Sequence, residues 1–347
     1  AELKEKGETI LDGKKTFKLY DTYGFPIDLT IEILAEQGMT PDEDGFHKEM
    51  EIQKQTSRTN REDGSSWEGT DGISFSADLK TEFIGYRQFS CDAKITAIGK
   101  NGEVCDLIGE DEEGMLITDQ TVFYGEMGGQ VGDRGTISSD LGKAEVVDTQ
   151  HLANGLIAHV VKVTEGELHT GDSVTLAIDH DYRMAISRNH SATHLLHKAL
   201  KEVLGTHVAQ AGSFVNSEHL RFDFSHFEAM TKEQLKEAEE RVNRAILAAL
   251  PINVQELPIE DAKKLGAEAQ FGEKYGAVVR VVSMGDYSVE FCGGCHLTNT
   301  AEAGLFKILS ESGVAAGTRR IEAVTGAGVL RLLEKKDALI EKTAETL

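Results

Sequence analysis

This 347-residue chain lacks most of the features that would classify it quickly. It has no apolar run approaching the roughly 20 residues that a helix needs to cross a bilayer, so no membrane-spanning helix is expected. Its opening residues, AELKEKGETILDGKK, lack the apolar stretch of a secretory leader and an initiator Met, so an excised segment of a longer protein is the expectation. Cysteine occurs only four times, too rarely for a disulfide scaffold, which points to a reducing, cytoplasmic setting. Positive charge is also short: 36 Lys and Arg face 59 Asp and Glu, a formal net charge of −23. That excludes nucleic-acid binding through a general basic surface, because backbone affinity comes from cations neutralising phosphates. A nucleic-acid partner would need a local basic track, or a basic region elsewhere in a longer parent chain.

What is present falls into segments. Residues 16–40, TFKLYDTYGFPIDLTIEILAEQGMT, are apolar and aromatic; Asp28 or Thr30 could cap a helix LTIEILAEQG that stops at Gly38. A charged helix through HKEMEIQKQTSR and a Gly/Ser/Asp linker, EDGSSWEGTDG, put the first boundary near residue 72. From about 80 to 180, short Val/Ile/Thr-rich runs alternate with turn signals such as Asn101-Gly102 and Asn154-Gly155, as in a small β-barrel or β-sandwich. The glycine-dense FYGEMGGQVGDRG, residues 123–135, has neither the G-x-G-x-x-G fingerprint nor a phosphate-loop Lys-Ser/Thr. It reads as a strand–turn–strand bend or as a loop that lets a ligand approach the backbone. Residues 181–204 form a strong helix ended by Gly205, followed by strand-like HVAQAGSFVNSEHLRFDFSH and a second helix at about 231–249. Strands are expected at 252–257, 277–283 and 287–291, and an amphipathic helix with leucines at 330, 332, 333 and 339 runs from 326 to 347.

The chemistry-bearing stretch is EFCGGCHLT, residues 290–298. It contains the C-x-x-C-H of a c-type haem, a Cys-x-x-Cys redox pair and a Cys-x3-His half of a zinc site. A haem protein is normally exported, and no export signal is present. A redox pair belongs at a helix start, and LTNTAEAG starts helices poorly. For the zinc reading, His190 and His194 lie four apart on the predicted helix, on one face, with His197 a turn further. Such a pair alone is often no more than a half-buried helix face. Position 191 is Ser, so the metalloprotease H-E-x-x-H is absent. With Cys292 and His296 the pair makes an N/S set suited to zinc, although Cys295 could replace either of the latter.

RNHSATHLLHKAL, HVAQAGSFV, LRFDFSH, FCGGCHLTNTAEAGLFKI and GTRRIEAVTG, in that order, resemble the editing domain of alanyl-tRNA synthetases. FYGEMGGQVGDRG is similar to that family's Gly-rich barrel segment, with Gly128 and Gly129 as candidate substrate-binding positions. FKLYDTYGFPIDLT looks like the end of its tRNA-recognition region; the resemblance runs from about residue 14 to 347. A threonyl-tRNA synthetase editing domain shares the histidine and cysteine pairs but would not carry LYDTYGFP. The resemblance implies an α+β fold: helical tRNA-recognition remnant and linker (1–72), β-barrel (80–180), zinc-dependent α/β editing core (181–326) and the start of a C-terminal helical segment (327–347). It implies zinc on His190, His194, Cys292 and His296, and it associates Thr193 and Gln210 with recognising the wrong aminoacyl group. The sequence departs from the family at Cys295, where Thr is usual, and at Met127, where Ser is common. The aminoacylation core with its ATP motifs is expected to lie outside this chain.

That family's implied reaction is hydrolysis of the ester joining serine or glycine to tRNA(Ala). A synthetic site shaped for a methyl group rejects glycine or one extra hydroxyl poorly, so a second sieve is needed. In it, zinc would orient the substrate's amino group or a water. Local tRNA contacts are expected from Arg183, Arg188, Lys198, Arg319 and Arg320. The rival reading is a zinc-stabilised tRNA-docking module without chemistry of its own. The remainder of the synthetase chain is the other expected partner.

Overall fold

The computed structural model describes residues 9–21, 27–36, 38–50, 73–152, 154–267 and 276–344. Its described residues form two compact units. One holds the N-terminal segment together with residues 226–229 and 312–319; the other holds the remainder. The linker EDGSSWEGTDG and most of the charged helix before it lie outside the described residues; residues 43–50 are helical.

In the N-terminal segment, helices α1 (Gly13–Asp21) and α2 (Ile27–Glu36) accompany a short parallel pairing of Ile10–Leu11 with Thr40–Pro41. Helix α2 begins earlier than the sequence suggested, so Asp28 and Thr30 lie within it rather than ahead of it. Thr30 is buried, at 3% exposed.

The barrel is closed by six antiparallel strands: β1 (Ser90–Lys100), β2 (Glu113–Thr118), β3 (Gly135–Ser138), β4 (Gly142–His151), β5 (Ile157–His169) and β6 (Ser173–Ile178). The order β4-β3-β6-β1-β2-β5 closes through pairing of β5 with β4, which leaves no open edge in the circuit. Alternate residues such as Ile95, Ile137, Val146, Val161 and Leu176 fill its interior, and each of these buried side chains stabilises by roughly 1.5–3 kcal/mol.

Helix α3 (His180–Leu204) starts at Asp179, whose carboxylate accepts from the Tyr182 N–H at 3.0 Å, and ends before Gly205. It packs against α4 (Lys232–Leu247), which opens with a Thr231/Gln234 capping box. The apolar face of α3, including Ile186, Leu195, Leu196 and Leu200, joins Phe222 and Phe224 in the main core. The strands beside it form two sheets. One, ordered β7-β8-β13-β12, comprises β7 (Gln210–Val215), β8 (Leu220–Ser225), β12 (Phe306–Ala315) and β13 (Thr318–Thr325). The other is an antiparallel trio of β9 (Ile252–Pro258), β10 (Val278–Met284) and β11 (Ser288–Phe291). Helix α5 (Ile259–Lys264) packs on this trio, and α6 (Ala327–Ala344) follows β13. The mixed helix and strand content is the expected α+β class. Among the described residues no helix is long and apolar enough to cross a membrane.

Candidate metal centre

Two elements meet at the site. Helix α3 supplies His190 and His194, whose rings stack at 5.4 Å between centroids as the i, i+4 spacing requires. Strand β11 runs into the segment Cys292–Leu297, which supplies Cys292 and His296. One ligand atom from each of His190, His194, Cys292 and His296 lies within 4.8 Å of the others. The Cys292 Sγ is 3.3 Å from His190 Nε2 and 3.2 Å from His296 Nε2. The histidines of α3 are buried, whereas Cys292 and His296 are half-buried.

The segment after β11 has no ladder of its own, and side chains from elsewhere satisfy its backbone. Arg280 Nη1 donates to the carbonyls of Cys292 and Gly294 at 2.8 and 2.7 Å. The Tyr86 hydroxyl donates to the Gly293 carbonyl at 2.8 Å, and its ring lies under the Arg280 guanidinium. The Leu297 N–H donates to Ser191 Oγ at 3.2 Å. Position 294 must be glycine: a Cβ there would sit 2.1 Å from His190 Cε1 and 2.8 Å from Gln130 Oε1.

Each ligating ring is fixed through its other nitrogen, the arrangement usual behind metal-bound histidines. His190 Nδ1 meets Gln130 Oε1 at 2.7 Å, His194 Nδ1 meets Glu290 Oε2 at 2.7 Å, and His296 Nδ1 meets Ser191 Oγ at 3.2 Å. Glu290 also receives His197 Nδ1 at 3.0 Å. In β11 the alternation sends Val289 and Phe291 into the cluster under α5, leaving Ser288 and Glu290 for the opposite face.

The electrostatics favour a cation. Burial alone would raise the Cys292 thiol, but His190, His296 and His194 hold it well below an ordinary thiol. Burial drives His296 down to about 3, with Cys292 offsetting part of the shift. Burial opposes charge on His194, yet Glu290 and Cys292 hold it up to about 10. Burial would raise Glu290, but the imidazoles of His194 and His197 keep it below the usual carboxylate range. His194 Nε2 is buried without a hydrogen-bond partner, an orphan within the cluster of the Cys292 sulfur and two further imidazoles. A metal ion fits that position: it would take the Nε2 lone pair and release the His194 proton. The donor set of three nitrogens and one sulfur is of zinc type.

The three sequence readings of CGGCH now separate. Cys295 is 3% exposed and outside the four-residue cluster; its N–H donates to Gln130 Oε1 at 2.9 Å, and burial pushes its thiol up to about 11. Cys292 and Cys295 are both free thiols, and one faces the imidazoles while the other is sealed away. Neither a redox pair nor a doubly attached haem suits that placement.

The remaining sequence candidates are placed as follows. Thr193, 5% exposed, donates its hydroxyl to the Asn189 carbonyl at 2.9 Å, one turn back along α3. Gln210 opens β7, with its Nε2 3.4 Å from Ser213 Oγ. Gly128 and Gly129 have φ of 61° and 84°, and the Gly129 carbonyl accepts from the Val215 N–H at 2.7 Å. At Gly129 a Cβ would stand 2.4 Å from the Ser213 carbonyl oxygen, so the loop lies directly on β7. Arg188 Nε donates to the Glu302 carbonyl at 3.0 Å, Arg320 forks onto Asp223 at 2.7 and 2.8 Å, and Arg319 is the second residue of β13. Lys198 lies 3.8 Å from Glu202. Arg183 is a correction: at 2% exposure it cannot reach a phosphate. It pairs with buried Asp133 and donates to the carbonyls of Gly85 and Val122, tying α3 to the barrel.

Sequence reasoning missed Glu290 and Gln130. The only signals were an acid inside the apolar run SVEF and a lone amide in a glycine-rich loop.

Comparison with known proteins adds family context. Residues 1–182 match the tRNA synthetases class II (A) family, and residues 279–322 match the second additional domain of threonyl and alanyl tRNA synthetases. The alanine–tRNA ligase of Alkaliphilus oremlandii is 49% identical over 342 residues, covering 98% of this chain and 39% of that protein. That of Clostridioides difficile is 50% identical over 347 residues, covering 99% and 40%, and that of Bacillus subtilis 46% over 344 residues, covering 99% and 39%. The chain thus spans about two fifths of the length of these curated relatives.

Proposed function

Since the chain belongs to the alanyl-type class II tRNA synthetases, we propose that its metal cluster is a zinc-dependent editing site that hydrolyses Ser-tRNA(Ala) and Gly-tRNA(Ala). The observation that carries the reading is the convergence of His190, His194, Cys292 and His296 around the orphaned His194 Nε2. Zinc held by these four residues would supply positive charge to polarise the ester or to orient the substrate's amino group.

The chain's own residues do the rest. Glu290, Gln130 and Ser191 hold the three rings with their Nε2 atoms inward. The surrounding imidazoles hold the Cys292 thiol well below its ordinary value. Thr193 and Gln210 supply the polar discrimination that favours a serine hydroxyl over an alanine methyl. Arg188, Arg319 and Arg320 contact tRNA phosphates, while Gly128 and Gly129 let the substrate approach the backbone. The domain scheme of recognition remnant (1–72), barrel (80–180), editing core (181–326) and helical start (327–347) belongs to the same proposal. So do a cytoplasmic location, and tRNA(Ala) and the remainder of a synthetase chain as partners.

One observation favours a second reading. Four protein donors fill a tetrahedral zinc shell, which is the pattern of a structural site. A tRNA-docking module without chemistry would need no more. Deacylation of Ser-tRNA(Ala) by the purified chain separates the two: editing predicts hydrolysis that Cys292→Ala abolishes. Full activity in that variant would remove Cys292 from the mechanism, and no activity in the parent chain would favour docking.

A further inference from the structure

The barrel's glycine-rich loop reaches the metal cluster through one buried amide, and that amide does more than hold a ring in place. Gln130 is fully buried, and its Oε1 takes two contacts: His190 Nδ1 at 2.7 Å and the Cys295 N–H at 2.9 Å. A backbone N–H can only donate, so the atom facing it must be the amide oxygen. The amide orientation is thereby fixed, and His190 Nδ1 must also donate to the same oxygen. Its proton therefore sits on Nδ1, and the Nε2 lone pair is directed at the cluster, 3.3 Å from Cys292 Sγ.

The other end of the amide supports this assignment. Gln130 Nε2 is buried and has no hydrogen-bond partner. Leaving a buried donor unsatisfied is costly, and the amide gains nothing from turning round, because Nε2 would then face the Cys295 N–H. The loop is pinned at both flanks: Met127 and Gln130 exchange backbone hydrogen bonds at 3.2 and 3.1 Å, and Val131 N donates to the Val215 carbonyl at 3.1 Å.

We infer that Gln130 is a positioning residue, through which the barrel loop sets the tautomer of His190 and makes the barrel part of the metal centre. It rests on the zinc reading above and extends it to a residue that touches neither metal nor substrate. The oxygen is what matters, so glutamate, which keeps it, should substitute for glutamine where leucine cannot.

The test uses the whole chain, stripped of metal and titrated with zinc against a chromophoric chelator, then with cobalt to read the visible bands of the site. Gln130→Leu should weaken zinc binding by about 10–100-fold and shift the cobalt bands. Gln130→Glu should bind near the parent's affinity, and both variants should keep the parent's circular dichroism. Parent-like affinity and cobalt bands in Gln130→Leu would overturn the inference. So would a Gln130→Glu chain as weak as the leucine variant, since that would make the side chain's shape decisive. A parent chain that takes up neither metal would overturn the zinc reading itself, an outcome distinct from any difference among variants.

Discussion

Two buried histidines show how differently the barrel and the α3 region treat a polar group. His159, on barrel strand β5, is fully buried and has both nitrogens occupied, by Thr121 Oγ1 at 2.7 Å and the Leu116 carbonyl at 2.9 Å. Burial lowers its pKa to about 4, and no acid offsets it. His194 is almost as buried, yet Glu290 and Cys292 raise it to about 10, and its Nε2 has no partner. A satisfied neutral imidazole is a structural part of a core. An orphaned one beside a cysteine sulfur and two other rings is a place prepared for a ligand.

The contrast can be broken first at Gly294. Gly294→Ala forces a methyl to within 2.1 Å of the His190 ring, so it should abolish measurable zinc binding and destabilise the fold by about 1–3 kcal/mol. Chelator competition and urea unfolding read the two effects, and parent-like metal affinity would show that the loop has room to spare. Glu290→Gln removes the charge facing His194 and His197 and should cost about 10–100-fold in zinc affinity, measured by the same competition.

The smallest effect belongs to the barrel. The folded pKa of His159 lies below its unfolded value near 6.5, so the unfolded chain binds more protons between the two. Stability linked to this group is therefore complete above about pH 6.5 and lost as pH falls toward 4. Between pH 7 and 5 the loss should be about 2 kcal/mol in urea unfolding. His159→Gln should flatten that part of the pH profile, and an unchanged slope would contradict the neutral assignment.

Much of this arrangement was legible in the sequence. The six barrel strands announce themselves through β-branched runs and Gly turns, and α3 through its composition and its stop at Gly205. The pair His190/His194 follows from helical periodicity. Glu290 and Gln130 were not legible, because their partners lie 96 and 60 residues away in the chain and only packing brings them together. Nor could spacing choose between Cys292 and Cys295, since both fit a ligand count. The choice is made by the course of the Gly-Gly turn, which Arg280, Tyr86 and Gln130 hold from outside the motif. The start of α2 was misplaced for a related reason: Thr30 is a buried residue within the helix, and residue type alone does not report burial.

The most direct test of the metal centre compares the two cysteines. Zinc content after dialysis against metal-free buffer should be about one ion per chain in the parent and in Cys295→Ala, and near zero in Cys292→Ala. Zinc retained by Cys292→Ala and lost from Cys295→Ala would contradict the arrangement described for residues 292–296.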